Sequence, residues 1–288
     1  MQRRNLQLAV LVGLTSISSS VLANDSYQHD ASVTYYDNTE SDASGSFGVD
    51  YRYYFDPVSQ TNKPYLLRGF LSQTSNIGAF YNGINDDVDI YRINGEYVFD
   101  SKWFVKASYQ KFKLDPSYDS DNYSVGVGYY FNRSSSVFFD YSNTSGGYDF
   151  SDGTSIQKSD TDQDNFTLGA NSYITFGWTK GILLAGQYTY SDYTIKSEFS
   201  FPDYQSKTTN TDSSSQLELA ADWYITDSWS VGTSYSYDFD NSDNDNWDIS
   251  SEYYLPISNG IAAVFGIQTN LDSDIDGMGY RIGVNGRF

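Results

Sequence analysis

Few side chains in this sequence are of the types that catalyse reactions or hold metals. The 288 residues include no cysteine, so disulfides and Cys-ligated metals are excluded. The one histidine, His29, is the only candidate for the general base of a hydrolytic site. It precedes the first predicted strand, far from the loops where such a site would be built. We therefore predict that the protein is not an enzyme and carries no cofactor.

A metal site is suggested at only one place. Asp272, Asp274 and Asp276 copy the first half of a calcium-binding loop, but its twelfth position is Gly283, where a bidentate Glu is required. Predicted strands, and not helices, flank this segment. We interpret it as an acidic hairpin loop with no metal, and keep weak calcium binding as the alternative hypothesis.

The strongest pattern is strict alternation of apolar and polar residues, which only a strand produces. In the last segment Met278, Tyr280, Ile282, Val284 and Phe288 share one face, and Gly279, Arg281, Gly283, Asn285 and Arg287 share the other. Comparable segments recur along the chain. They predict about fourteen strands, with twelve or sixteen as alternatives, each ~9 to 11 residues long, the length that crosses a membrane when tilted.

Composition favours the same architecture. The chain has 28 Tyr, 18 Phe and 23 Gly against 5 Pro, and its mean hydropathy is -0.52 although 18% of residues are aromatic. A transmembrane antiparallel up-and-down β-barrel, wet inside and aromatic outside, accounts for both values. The net charge of -20 argues against a nucleic-acid partner.

The N-terminal residues predict export. Arg3 and Arg4 precede the apolar run 6–14, and a Ser-rich stretch ends at Ala23. This order is typical of a signal peptide, with cleavage near Ala23. We expect residues 1–23 to be removed and residues 24–288 to form one barrel. Loss of two arginines then changes the net charge from -20 to -22.

The predicted connections alternate between short and long, as in outer-membrane barrels with short periplasmic turns and longer external loops. The longest predicted loops are 143–163 and 191–213, either of which could fold inward or cover the outside. Residues 57–75 are left open, because Pro64 followed by Leu66 and Leu67 is compatible with a short helix as well as with a strand. An even strand number puts both termini in the periplasm.

Eight charged residues are predicted to face the inside of the barrel. The basic set is Arg52, Arg92, Lys106 and Arg281, and the acidic set is Asp140, Glu218, Asp222 and Glu252. Because the first and last predicted strands become neighbours on closure, the two sets would form opposite walls that orient water and set ion preference. The alternative is local neutralisation, for example of Arg52 by Asp50 and of Arg92 by Glu96.

The sequence resembles the general bacterial porins of Gram-negative gamma-proteobacteria over essentially the whole mature chain. The resemblance rests on three segments: 53–57 followed by 63–71, the repeated aromatic–turn–aromatic units 97–103 and 223–229, and the ending 281–288. In that ending Tyr280, Ile282, Val284 and Phe288 resemble the strand signal read by the barrel-assembly machinery. Gly286 departs from it, since an apolar residue is usual there.

The resemblance implies an outer-membrane porin through which ions and small hydrophilic solutes diffuse passively. From the net charge we expect a modest cation preference. Outer-membrane lipid, lipopolysaccharide, the assembly machinery and small polar solutes are the expected partners. A substrate-specific uptake channel and a closed structural or adhesive barrel remain the alternatives, and the oligomeric state is open.

Overall fold

The computed structural model describes residues 25–40, 45–84, 88–114, 118–151, 154–201, 204–240, 245–271 and 277–288. The predicted signal peptide lies outside these ranges, as do the calcium candidates Asp272, Asp274 and Asp276. Among the described residues no helix is both long and apolar enough to cross a membrane.

Fourteen antiparallel strands close into one barrel, in which each strand pairs with its neighbours in sequence and β1 pairs with β14. The predicted fold and strand number are confirmed. The strands are β1 Ser26–Asn38, β2 Ser46–Ser59, β3 Asn76–Ile84, β4 Val88–Val98, β5 Trp103–Leu114, β6 Tyr118–Asn132, β7 Ser135–Ser151, β8 Ile156–Ile174, β9 Gly181–Phe201, β10 Tyr204–Tyr224, β11 Trp229–Asp238, β12 Asn246–Ser258, β13 Ile261–Asn270 and β14 Gly279–Arg287.

The connections distinguish the two ends of the barrel. The end that holds both termini also has the turns 133–134 and 259–260, and we call it the periplasmic end. At the external end the strand bounds differ from the prediction. Most of the predicted loops 143–163 and 191–213 is strand, because β7 to β10 continue beyond their neighbours as a four-stranded sheet. The described parts of these segments are therefore paired strands and not loops.

Lipid-facing residues follow a uniform spacing on the seven even-numbered strands, which run from the external to the periplasmic end. On each, an outward apolar residue is followed by another eight positions later, within the strand or one residue past its end. The pairs are Phe47 and Phe55, Tyr91 and Phe99, Tyr123 and Phe131, Phe166 and Ile174, Leu217 and Ile225, Trp247 and Leu255, and Tyr280 and Phe288. Eight steps along a tilted strand cover about 20 Å of membrane thickness, so with their rings these residues match the apolar band of such barrels.

The segment between β2 and β3 contains a helix. Tyr65–Leu67 form a 3-10 turn that continues into the short helix α1, Arg68–Ser72. Gln73 ends α1 in the left-handed region with φ of 50°. Of the two alternatives for this segment, the helical one is therefore correct for residues 65–72, and the next strand begins only at Asn76.

Candidate functional site: the barrel interior and its periplasmic constriction

The predicted inward residues lie along two cavities inside the barrel. Arg52, Arg92, Lys106 and Asp140 line a cavity of about 410 Å³ against β2 to β7. Asp222, Glu252 and Arg281 line a cavity of about 640 Å³ against β10 to β14 and β1. Glu218 faces inward as well, since it alternates with lipid-facing Leu219 on β10. The interior is therefore polar and charged along opposite walls.

Lys106 and Asp140 form an ion pair that crosses an intervening strand. Lys106 on β5 and Asp140 on β7 are both in register with Gly126 on β6. The Lys106 ammonium lies 2.7 Å from the Asp140 carboxylate and 4.1 Å from the centre of the Phe138 ring. A side chain at position 126 would overlap the carboxylate. Glycine at this position thus allows the pair to lie flat against the wall.

A second pair has the same construction. Arg281 on β14 and Glu252 on β12 are both in register with Gly266 on β13 and form an ion pair across it. A Cβ at position 266 would lie 2.6 Å from Arg281 Nε. Four of the eight predicted residues are therefore neutralised locally, although not with the partners that the alternative interpretation named.

The other four charged residues form no ion pairs among the described residues. Arg52 donates to the Asn76 amide oxygen, Arg92 Nε donates to Gln110 at 2.9 Å, and Glu218 accepts from Gln187. Glu96, the predicted partner of Arg92, instead accepts from the Tyr130 hydroxyl at 2.9 Å.

These four uncompensated charges face each other. Arg52 on β2 and Arg92 on β4 flank β3, and Glu218 and Asp222 lie on β10. In a closed ring of fourteen strands β3 and β10 are seven places apart, on opposite sides. Of the eight residues of the predicted transverse separation of charge, two on each wall lie outside ion pairs. The carboxylates Asp50 and Glu96 lie near Arg52 on its wall and reduce the positive charge there.

A segment inside the barrel narrows the periplasmic end. We call residues 60–75 the plug. Leu67 packs in a buried cluster with Tyr173 of β8 and Tyr224 of β10. The backbone N–H of Tyr65 donates to the Asp227 carbonyl at 2.7 Å, and Gln73 donates to the Asn132 carbonyl at 2.6 Å. The plug therefore reaches from its origin at β2 and β3 to the opposite wall.

Cavities lie on both sides of the plug. Leu66 faces the 640 Å³ cavity towards the external end. Tyr65 and Arg68 line a separate cavity of about 260 Å³ beside the periplasmic turns. The Tyr65 ring stacks on Tyr254 with centroids 4.4 Å apart. The plug is thus the constriction of the described interior.

Tyrosines at the external edge of the lipid-facing band donate hydrogen bonds to the strand beside them. In five cases the bonded group lies two residues before the aromatic or apolar residue that begins the band on that strand. The donors and acceptors are Tyr81 and Asp89, Tyr109 and Asp121, Tyr141 and Asp164, Tyr188 and Ser215, and Tyr235 and Asp245. At the β1–β14 seam the arrangement differs, since Asp37 of β1 accepts from Tyr280 of β14 and also from Tyr35 of its own strand. We call this ring the tyrosine collar.

Sequence reasoning missed the tyrosine collar, although a signal was present. On four even-numbered strands an aspartate lies two positions before the aromatic residue that begins the lipid-facing band. These are Asp89 before Tyr91, Asp121 before Tyr123, Asp164 before Phe166, and Asp245 before Trp247. Carboxylates just above exposed aromatic rings mark where apolar membrane ends and headgroups begin.

His29 does not precede the first strand as predicted but lies within β1. Its ring stacks on Phe288 with centroids 5.0 Å apart, and Nδ1 lies 2.7 Å from the Tyr51 hydroxyl. Tyr280, Ile282, Val284 and Phe288 form the lipid-facing side of the last strand and its terminus. Among the described residues no cluster of three acidic or histidine side chains is arranged to hold a metal.

Comparison with known proteins agrees with this fold. The family model "Putative general bacterial porin" matches residues 5–288. Omp33 of Acinetobacter baumannii is 18% identical, with 92% of this chain and 99% of that chain covered and a TM-score of 0.59. This likeness concerns the fold.

Two further solved structures are more distant. The NalP translocator domain of Neisseria meningitidis is 10% identical with a TM-score of 0.42, covering 99% of this chain and 96% of its own. A loop-deleted OmpT of Vibrio cholerae is 10% identical with a TM-score of 0.46, covering 92% and 100%. No curated protein sequence matches the chain. The chain belongs to the general bacterial porin family and is a porin-type β-barrel of the Gram-negative outer membrane.

Proposed function

We propose that this protein lets ions and small hydrophilic solutes diffuse passively through the barrel, with a modest preference for cations. The observation that carries the proposal is the pair of polar cavities along opposite inner walls, which together run from the external rim to the plug. Small inward residues such as Gly126, Gly232 and Ser230 keep side chains from filling the interior. Water and solutes can occupy this space.

Cation preference is supported by the distribution of uncompensated charge. Two ion pairs neutralise themselves, and Glu218 and Asp222 leave two carboxylates on one wall. Arg52 and Arg92 oppose them, but the carboxylates Asp50 and Glu96 lie near Arg52 on the same wall and offset its charge. The whole chain carries a net charge of -20, so its field attracts cations to the entrance.

A closed structural barrel is the second candidate function, and the plug favours it. Tyr65, Leu67 and Arg68 are all buried at the constriction. A plug that never moves would leave two blind cavities and no conduction. In the proposed channel, by contrast, the plug sets the size limit and shifts enough for small ions to pass.

The expected partners are also proposals. The lipid-facing row Tyr280, Ile282, Val284 and Phe288 supports recognition of the last strand by the barrel-assembly machinery. The tyrosine collar supports contact with the headgroups of outer-leaflet lipid, including lipopolysaccharide.

The deciding experiment is single-channel recording of the refolded protein in planar bilayers, with reversal potential measured under a salt gradient. Stable ohmic steps with a cation-selective reversal potential support the porin. Saturation of the current by one solute would instead indicate a specific uptake channel. Absence of conductance from a folded, inserted barrel contradicts the proposal and leaves the closed barrel.

A further inference from the structure

The seam that closes the barrel contains a buried ion pair. Asp30 of β1 and Arg287 of β14 are register partners, and Arg287 Nε lies 2.9 Å from the Asp30 carboxylate. Only 6% of Arg287 is exposed. An arginine this buried needs a partner for its charge and for each N–H. Asp30 satisfies one part of that requirement.

The plug satisfies another part. Arg287 Nη1 donates to the Tyr65 carbonyl at 2.9 Å. The guanidinium lies 3.8 Å from the centre of the Tyr65 ring and 4.9 Å from that of Tyr27 on β1. Stacking and hydrogen bonding together use the planar, always charged guanidinium in a way that lysine cannot. Arg287 thus touches β1 and the plug at once.

Asn285, two residues earlier on β14, repeats this double contact. It donates to Asp30 at 2.6 Å and accepts from the Tyr65 hydroxyl at 3.1 Å. The inward side of the last strand therefore binds both the first strand and the plug. Its outward side carries the lipid-facing row that ends at Phe288.

We propose that Arg287 is a positioning residue that holds the plug in the constriction only while the β1–β14 seam is paired. The plug then seats last, after barrel closure brings Asp30 and Tyr27 beside Arg287. Separation of this contact releases the plug from the β14 side and widens the channel. The proposal rests on the proposed channel for its effect on conductance, but release of the plug itself does not depend on conduction.

Limited proteolysis measures release directly. The plug contains Lys63 and Arg68; Lys63 precedes Pro64, so the Arg68–Gly69 bond is its trypsin site. Only 9% of Arg68 is exposed in the seated plug. The test compares wild type with Arg287→Gln, each refolded as the full chain in detergent and checked for the folded form by heat-modifiable gel mobility. We expect cleavage at Arg68 to accelerate roughly tenfold or more in the variant, because cleavage follows the population of the open form.

Arg281→Gln is the matched control. Arg281 is an inward arginine on the same strand with an acidic partner, but it contacts Glu252 and not the plug. Its variant should keep the wild-type cleavage rate. In bilayers, Arg287→Gln should raise mean conductance, and Arg281→Gln should change ion selectivity without releasing the plug.

Asp30→Asn keeps the proposal testable should Arg287→Gln fail to fold. It weakens the seam from the β1 side and should accelerate cleavage at Arg68 as well. Unchanged cleavage in a folded Arg287→Gln or Asp30→Asn barrel overturns the proposal that Arg287 holds the plug. Accelerated cleavage with no conductance in any variant supports the role of Arg287 and contradicts the proposed channel. Failure of the Arg287 proposal and failure of the proposed channel are therefore distinguishable.

Discussion

Lys106 and Asp140 are bound to each other although a whole strand lies between them. Their ion pair of 2.7 Å passes over Gly126, which is in register with both. Arg281 and Glu252 are joined in the same way over Gly266. A glycine on the middle strand thus lets long charged side chains lie along the wall, which neutralises them and keeps the interior open.

Gly126→Ala should break the Lys106–Asp140 pair. The added methyl would overlap the Asp140 carboxylate and lie 3.0 Å from Lys106 Cε. The carboxylate is the mobile end of its side chain and can turn aside, so the cost is that of losing a partly exposed ion pair, about 0.2–1 kcal/mol. We expect the free energy of unfolding in vesicles, measured by urea titration, to fall by that amount. Gly279→Ala is the control, since its nearest neighbour would be 3.7 Å away, and an equal loss there would contradict the explanation.

The uncompensated charges should control ion selectivity in opposite directions. Glu218→Gln with Asp222→Asn removes two carboxylates from β10, and the cation-to-anion permeability ratio should fall by about two- to fivefold. Arg52→Gln with Arg92→Gln should raise it. Reversal potentials in a salt gradient measure both changes. Removing the paired residues Lys106 and Asp140 together should shift selectivity less than removing either the two carboxylates of β10 or the two arginines. A larger shift would contradict the conclusion that the Lys106–Asp140 pair is neutralised locally.

The register of the barrel was predictable because a charge on the lipid face is costly. Sliding the strands by one residue would have exposed Arg92, Glu218 and Arg281 to lipid, and the structure keeps all three inside. The external sheet was not predictable from the same rule. Beyond the membrane neither face of a strand must be apolar, so residues 143–163 lack the alternation although most of them pair.

The plug shows a different limit of sequence reasoning. Pro64, Leu66 and Leu67 are compatible with a short helix, but they contain no information on where it docks. The contacts that hold it join residues as far apart as Tyr65 and Asn285. The two ion pairs across glycines were missed for a related reason, since register over three strands must be known before Lys106 and Asp140 are seen to meet.

The tyrosine collar should stabilise the barrel through its position against lipid. Tyr109→Phe removes the donor to Asp121, a hydrogen bond of 2.6 Å, and leaves a carboxylate at the edge of the apolar band without that partner. We expect a lower urea midpoint for unfolding from vesicles. Tyr193→Phe is the matched control, because Tyr193 donates to Asp212 at 3.2 Å on the inward side of the external sheet. Equal effects of the two variants would show that lipid contact is irrelevant.

Two adjacent leucines of the plug allow the effect of a buried side chain to be compared with that of an exposed one. Leu67 is 5% exposed and packs on Tyr173 and Tyr224, whereas Leu66 is 38% exposed and faces the cavity. Leu67→Ala should weaken seating of the plug by about 2–5 kcal/mol.

Because the strand ladders do not depend on the plug, this loss should appear as local opening and not as global unfolding. The urea midpoint should therefore stay near wild type while open-channel time and mean conductance increase. Leu66→Ala should leave open-channel time unchanged, since it removes no buried contact at the constriction. Similar gating in both variants would contradict the packing argument. A fall of the urea midpoint in Leu67→Ala without any change in conductance would instead make the plug a part of the core, which is the arrangement that a closed structural barrel requires.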